Sequence, residues 1–341
     1  METILITGGC GYIGSHTIFH FLKNTKKNLI ILDNLSTGFQ ENFDYLSKVF
    51  PNRLKLIQQD LGNQSMLEEI FKTSSIECVL HFAAALSVEE STQKPLHYYV
   101  NNTFNTLILI QTCIKFGVKN FIFSSTAAVY GEPKIPNSGI TEDSLLSPIN
   151  PYGASKMMSE RILKDISQKE NFNAVILRYF NVAGASMDNK NLDKNGGLGQ
   201  RSKNATHLIK VALECATHKR EKMAIFGTNY PTPDGTCIRD YIHIDDLASA
   251  HLHAYYYLIE KQETEIFNVG YSQGYSVAEV IKEVKNVTGV DFKVEIKPPR
   301  CGDPASLIAN NQKILEKTQW KPQFNQLSTI IKSAYEWECY L

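Results

Sequence analysis

Residues 7–14 read TGGCGYIG and follow the apolar run ILI at 4–6, so Gly8, Gly9, Gly11 and Gly14 stand where a strand ends. Glycine loses more conformational freedom on folding than any other residue. A cluster of them marks a backbone that turns tightly or is approached closely. Ile4, Leu5 and Ile6 read as a short buried strand, and Tyr12 to Leu22, with Ile13, Thr17, Phe19 and Leu22 toward one side, reads as a helix. The glycines then join a strand to a helix, and the free amides of the first helical turn, at the positive end of its dipole, suit a pyrophosphate. The next run, LIILD, ends in Asp33, 19 residues beyond Gly14. That is close to the ~20-residue distance at which an acid at the end of the second strand meets an adenosine ribose. A carboxylate that accepts from the ribose diol repels a 2′-phosphate, so Asp33 predicts NAD rather than NADP.

The chain has 341 residues, 43% of them hydrophobic, enough for two domains or for one with a large appendage. Lys plus Arg and Asp plus Glu balance at 35 each, which argues against a nucleic-acid or anionic-membrane partner. Met1 leads into a strand within three residues without a basic leader, and no apolar run nears the ~18 residues of a bilayer span. The expectation is a cytoplasmic protein with no membrane partner. Seven cysteines (10, 78, 113, 215, 237, 301 and 339) are scattered and never in a C-x-x-C pair, so they read as reduced thiols. No metal is expected: among the candidates His243, His251 and His253, the last two point to different faces of a probable helix, and no further ligand stands at metal-binding spacing.

Further apolar runs recur, each followed by a helical pattern: LKLIQQD (54–60), ECVLHFAA (77–84), NFIFSST (120–126) and NAVILRYF (173–180). Such alternation predicts an α/β fold, a Rossmann-type doubly wound parallel sheet with helices on both faces. The rhythm breaks after Phe180, and residues 185–206 are polar and rich in Asn and Gly. The expected division is a cofactor domain, 1–184, and a smaller α/β substrate domain, 185–341, with a segment around 236–260 packing back on the first. Ligands of open α/β sheets lie beyond the carboxyl ends of the strands, so strand ends and second unit should enclose one cleft.

The strand NFIFSST ends in Ser124, Ser125 and Thr126, and PYGASK follows with Tyr152 and Lys156. Pro151 suits a first helical turn, which sets Tyr152 and Lys156 at i and i+4 on one face. An isolated Tyr-x-x-x-Lys is usually a surface tyrosine lying on a lysine stem. After a dinucleotide fingerprint it has a chemical use: an ammonium beside a phenol, together with a positive nicotinamide, lowers the phenol toward neutrality. A phenolate there takes the proton of a sugar hydroxyl while hydride leaves the same carbon, and Thr126 hydrogen-bonds the oxygen.

TGGCGYIGS, LDNLSTG, HFAA, NFIFSSTAAVYG, PYGASK, LRYFNVAGA, PTPDGTCIRDYIHIDDLA and RCGDPA occur in this order. Together they make the chain similar, from about residue 3 to residue 337, to the extended short-chain dehydrogenase/reductases, and among them to the branch that epimerises UDP-hexoses at C4. The resemblance implies tightly bound NAD, a UDP-sugar substrate and a homodimer. It implies that Tyr12 and Ile13 cover the pyrophosphate, that Asp33 and Asn34 hold the adenosine ribose, and that Asp60 and Leu61 flank the adenine. Phe82, Ala83, Ala84, Asn101 and Ser124 would line the cofactor, with Lys156 at the nicotinamide ribose and Phe180 near the ring. Thr126, Tyr152 and Lys156 would be catalytic. Asn181, His207, Leu208, Arg239, Arg300, Asp303 and Leu307 fall at nucleotide-sugar positions; guanidinium groups suit a diphosphate and a carboxylate suits a ribose diol.

Two positions depart from the best-known bacterial members. Leu86 replaces a sugar-facing Lys found in some relatives, and Leu307 stands where a bulky Tyr narrows the pocket of strict glucose/galactose enzymes. Both leave the preferred sugar open, whether UDP-glucose, its N-acetylated analogue or UDP-arabinose. A 4,6-dehydratase needs an added acid and base, which such relatives carry as Asp-Glu after the strand-end Thr; here Ala127 and Ala128 stand there. A non-catalytic NAD-binding protein has no need of Tyr152 and Lys156.

Overall fold

Short apolar runs separated by helical patterns become one parallel sheet of seven strands. The computed structural model describes residues 2–133, 139–189, 196–202, 205–300 and 303–341. Its strands are β1 (Thr3–Thr7), β2 (Asn28–Asp33), β3 (Leu54–Gln58), β4 (Ile76–His81), β5 (Asn120–Thr126), β6 (Asn173–Tyr179), β7 (Asn181–Ala183), β8 (Lys222–Phe226), β9 (Ile238–His243), β10 (Glu265–Val269), β11 (Gly274–Ser276), β12 (Lys293–Lys297) and β13 (Ser306–Leu307). The large sheet runs β10-β6-β5-β4-β1-β2-β3, every pair parallel. Strands β4 to β6 stack on one side of β1 and β2 with β3 on the other, so the order reverses between β1 and β4. A crevice opens there at the carboxyl ends, where such sheets bind ligands.

Apolar faces explain the layers. Ile4 and Ile6 face one helical layer with Ile31, Ile122 and Leu247, while Leu5 faces the other with Val79, Leu109 and Phe121, all buried. Each such side chain contributes roughly 1.5–3 kcal/mol by leaving water. The helix Tyr12–Asn24 lies against the helix Ile244–Lys261, with Phe21 and Tyr255 rings 5.4 Å apart. The helix Pro151–Ser167 lies on the other face, and Leu163 packs there with Phe121 and Ile176.

The smaller part centres on β9, which pairs with β7 and β13 in parallel and with β11 antiparallel. A two-stranded ladder, β8 with β12, adjoins it. Helices Leu208–Ala216, Val277–Thr288 and Leu327–Tyr340 cover it around Leu213, Val284 and Ile330.

The second unit, expected over 185–341, sends part of its chain back to the large sheet. The return is longer than residues 236–260, because β10 follows the helix Ile244–Lys261 into the large sheet and closes the edge of β6 through Glu265–Val269. Ile266, Phe267 and Val269 are buried there, and an apolar edge left open would expose unpaired amides. The first half also reaches across: Ile140 donates to Ile308 and accepts from Asn310. Of the polar stretch 185–206, residues 190–195 and 203–204 lie outside the described residues, as does Cys301. No helix among the described residues is long and apolar enough to cross a membrane.

Candidate active site

The glycine turn closes β1 onto the helix Tyr12–Asn24. Gly8 takes a φ of +70°, and a Cβ there would lie 2.6 Å from the backbone nitrogen of Ala83, at the end of β4. Only glycine lets these two strand ends meet at the crevice. A Cβ on Gly14 would lie 2.4 Å from the Gly8 carbonyl oxygen, so glycine there lets the helix seat closely on the turn. Gly11 is the N-cap, and no side chain caps that helix. Its free amides suit an anion, which is the fit expected of a dinucleotide pyrophosphate. Tyr12 sends its hydroxyl 2.6 Å to the carbonyl of Gly184, tying the helix start to the end of β7, and Ile13 beside it is half-buried.

Asp33, at the end of β2, is almost fully buried. Its carboxylate accepts from the amides of Cys10 and Leu35, both at 2.8 Å, and burial raises its pKa above the usual carboxylate value. Asn34 donates to Asp60 at 2.7 Å, so the acid ending β2 and the one beyond β3 converge, with Leu61 buried behind them. On the other side of the turn come Phe82, Ala83 and Ala84. The Phe82 ring lies 4.9 Å from that of His251, and Ala83 donates weakly to the Thr7 hydroxyl at 3.4 Å. Asn101 donates to Asn102, which is clasped to both backbone groups of Ala85 and to the Ser155 hydroxyl. These two asparagines sit in a wide-wound π-helical turn, Tyr99–Phe104, that the sequence pattern did not reveal.

At the end of β5 the candidate catalytic groups converge. Asn150 caps the helix Pro151–Ser167 by accepting from the amide of Gly153, and Pro151 occupies its first turn. Tyr152 and Lys156 share a face, but the expected effect of one on the other is not what the chain supplies. The Lys156 ammonium donates to the carbonyl of Ser124 at 2.9 Å and lies 4.8 Å over the Phe123 ring, and burial lowers its pKa to about 7. Burial raises Tyr152 above the ordinary phenol, and a hydrogen bond with Thr126 opposes that rise. The protein alone therefore holds the phenol neutral, because desolvation outweighs the hydrogen bond with Thr126 while the lysine is engaged at a carbonyl. Thr126 also accepts from the amide of Ala128, capping the tight turn that carries Ala127 and Ala128. The Ser124 hydroxyl lies 3.1 Å from Nε2 of His251, a buried residue absorbed into core packing.

The residues expected at a nucleotide sugar lie on the smaller part. Asn181 opens β7 opposite Tyr241, and His207 stands at the N-cap position of the helix starting at Leu208 without a side-chain capping bond, its Nδ1 3.2 Å from the Gln200 amide. Arg239 on β9 pairs with Asp303, and the Arg300 guanidinium stacks 3.8 Å above the Phe226 ring. Leu307 on β13 lies beside Arg239 in register and packs, half-buried, on the cluster of Ala127, Tyr130 and Phe180. Phe180, almost fully buried, links that cluster to the end of β6. Leu86 stands apart and exposed on the loop after β4. Sequence reading missed Phe226 and the buried pair Glu160 and Arg178. A charged residue inside the apolar run NAVILRYF was the available signal for the pair.

The fold and site define a dinucleotide-binding α/β protein with a Tyr/Lys pair at a strand end. Residues 4–270 match the NAD dependent epimerase/dehydratase family, and the chain belongs to it. It is 43% identical over 336 residues to a UDP-glucose 4-epimerase of Azospirillum brasilense, covering 98% of this chain and 91% of that one. Among solved structures it is 51% identical to the UDP-Glc/GlcNAc 4-epimerase of Campylobacter jejuni, with 99% of each chain covered and a TM-score of 0.84. It is also 34% identical to a UDP-glucose 4-epimerase of Bifidobacterium longum in complex with NAD+ and UDP, with 99% and 98% covered and a TM-score of 0.89.

Proposed function

We propose that the protein epimerises UDP-glucose and UDP-galactose at C4 with tightly bound NAD, and that it also takes the N-acetylated pair. The observation that carries this reading is the convergence of Tyr152, Thr126 and Lys156 at the end of β5. Bound at that turn, NAD supplies a reversible acceptor of hydride. Gly8, Gly11, Tyr12, Ile13, Asp33, Asn34 and the chain from Phe82 to Ala84 would hold it. Tyr152 takes the proton of the 4-hydroxyl and gives it back when the 4-keto sugar is reduced on its other face. Thr126 holds the sugar oxygen, and the charge of Lys156 favours the phenolate. Arg239 and Arg300 suit the diphosphate and Asp303 the ribose diol, so the nucleotide is gripped while the sugar turns.

Purified protein should convert UDP-galactose to UDP-glucose without added reductant; failure to do so rejects the reading. UDP-N-acetylglucosamine and UDP-arabinose assayed beside it rank the sugars. Leu307 is shorter than a tyrosine and lies by Phe180 and Ala127, which supports the wider pocket. Leu307→Tyr should abolish turnover of UDP-N-acetylglucosamine while glucose turnover survives, and equal loss of both would remove Leu307 from the pocket wall.

We further propose a homodimer. Leu96, Val100 and Phe104, four residues apart along consecutive helical turns, are 78%, 55% and 54% exposed. A second copy of the chain would cover them. Leu96→Glu with Val100→Glu should shift sedimentation to the monomer. A cytoplasmic location accords with six described cysteines that are free thiols.

A further inference from the structure

A helix that carries a proton-transfer group must be held at one height above its sheet, and apolar packing specifies that height poorly. Glu160 lies one turn beyond Lys156 and two beyond Tyr152, on the same face. It is 1% exposed, and Arg178 on β6 is 0% exposed. Arg178 donates from Nε to both Glu160 oxygens (3.0 and 3.2 Å) and from Nη2 to Oε2 (2.6 Å). From Nη1 it donates to the Tyr130 hydroxyl and the Glu142 carbonyl, both at 2.9 Å. Ser125 on β5 donates its hydroxyl to the same carboxylate at 2.5 Å, and Tyr130 passes the network on to Asn268 of β10 at 2.7 Å.

A buried ion pair is weak evidence for stability, since desolvation offsets its attraction. The neighbours of this one are more telling. Ser125 stands between Ser124, whose carbonyl accepts from Lys156, and Thr126, which hydrogen-bonds Tyr152. We propose that Glu160, clamped by Arg178 and Ser125, is a positioning residue of the epimerisation: it fixes Tyr152 and Lys156 against Thr126 and supplies the negative charge that keeps Lys156 an ammonium. This rests on the function proposed above. Burial is the influence that lowers Lys156, and Glu160 is the one that raises it. Tyr152, the Phe123 ring and His81, which burial holds near 3 and hence neutral, also face Lys156. Arg178 and Lys164 face Glu160, with Glu142 beyond Arg178. Without the Glu160 charge, the nearby cations Arg178 and Lys164 are left to oppose the ammonium. Lys156 then loses its proton at lower pH.

Glu160→Gln keeps the shape and removes the charge. It should lower kcat roughly tenfold with KM for the UDP-sugar within about twofold of wild type, because position and charge act in the transition state rather than in binding. The alkaline limb of the kcat–pH profile should move down by about one unit. Glu160→Asp keeps the charge, so its limb should stay at the wild-type position. Ser125→Ala removes one clamp and no charge; it should cost about three- to tenfold in kcat without moving the limb, and it decides the positioning role should the Gln variant not fold. A Glu160→Gln limb at the wild-type position, or a Ser125→Ala kcat equal to wild type, overturns the proposal. A wild-type protein that turns over no UDP-sugar rejects the function instead. The titration of the Lys156 ammonium itself, followed by NMR of its Nζ and assigned against Lys156→Met, then tests the charge: it should fall in Glu160→Gln, and an unmoved titration overturns the inference.

Discussion

The proposed cofactor crevice and the proposed nucleotide-sugar wall are made of different material. The crevice is largely backbone: a left-handed Gly8, an uncapped helix start at Tyr12, and an Asp33 held by two amides. The wall is side chains already committed to one another, Arg239 to Asp303 and Arg300 to Phe226. Backbone geometry is in place before a ligand arrives, whereas a paired arginine must leave its partner to grip a phosphate. The contrast fits a protein that keeps its cofactor and exchanges its substrate.

The largest effect should fall between the two regions. Tyr152→Phe deletes one oxygen, so turnover should fall ~10²–10⁴-fold while NAD content stays at wild type; more than about a tenth of wild-type activity would point to another base. On the wall, Arg239→Met should raise KM for the UDP-sugar by about one to two orders of magnitude, since a charge-assisted contact contributes ~1.5–3 kcal/mol, again with NAD retained. Loss of NAD in that variant would break the division between the regions. In the crevice, Asp33→Ala should weaken NAD by roughly tenfold and admit NADP, as a ribose acceptor and a repelling charge both go. Equal NAD affinity would remove Asp33 from the ribose.

A smaller effect concerns stability. Lys156 titrates near 7 in the folded chain and near 10.5 unfolded, so below pH 7 both states are charged and the fold carries the full cost of a buried ammonium. That cost is relieved as pH rises from about 7 to 10.5, where the unfolded chain binds more protons. Lys156→Met should therefore raise the melting temperature at pH 6, by about 2–4 °C for each kcal/mol recovered, and the gain should vanish near pH 10.5, with activity lost throughout. A melting temperature that falls at pH 6 would show that the bond to the Ser124 carbonyl outweighs desolvation.

The same contrast governs what could be read in advance. Backbone-built features leave periodic traces: glycines after ILI, an acid at the end of LIILD, Pro151 before Tyr152. All of these became the elements expected of them. Features made by packing leave none. EIFNV at 265–269 is one apolar run among many, and nothing local says that it pairs with β6 rather than within the smaller part. Lys156 was read through its neighbour in sequence, but its partner is a carbonyl 32 residues away. The π-helical turn at Tyr99–Phe104 depends on Asn102 clasping Ala85 and Ser155, which only the folded chain brings together.

The late return of β10 has a consequence for how the protein is born. Strand β6 ends at Tyr179 and the strand that closes its edge begins at Glu265. At a synthesis rate of about 5–20 residues per second, the ribosome carries a nearly complete cofactor sheet with a bare, apolar edge for several seconds. During that interval the nascent chain is a ready template for another chain's strand, and it is then, rather than after release, that a chaperone holding β6 would raise the yield of active enzyme.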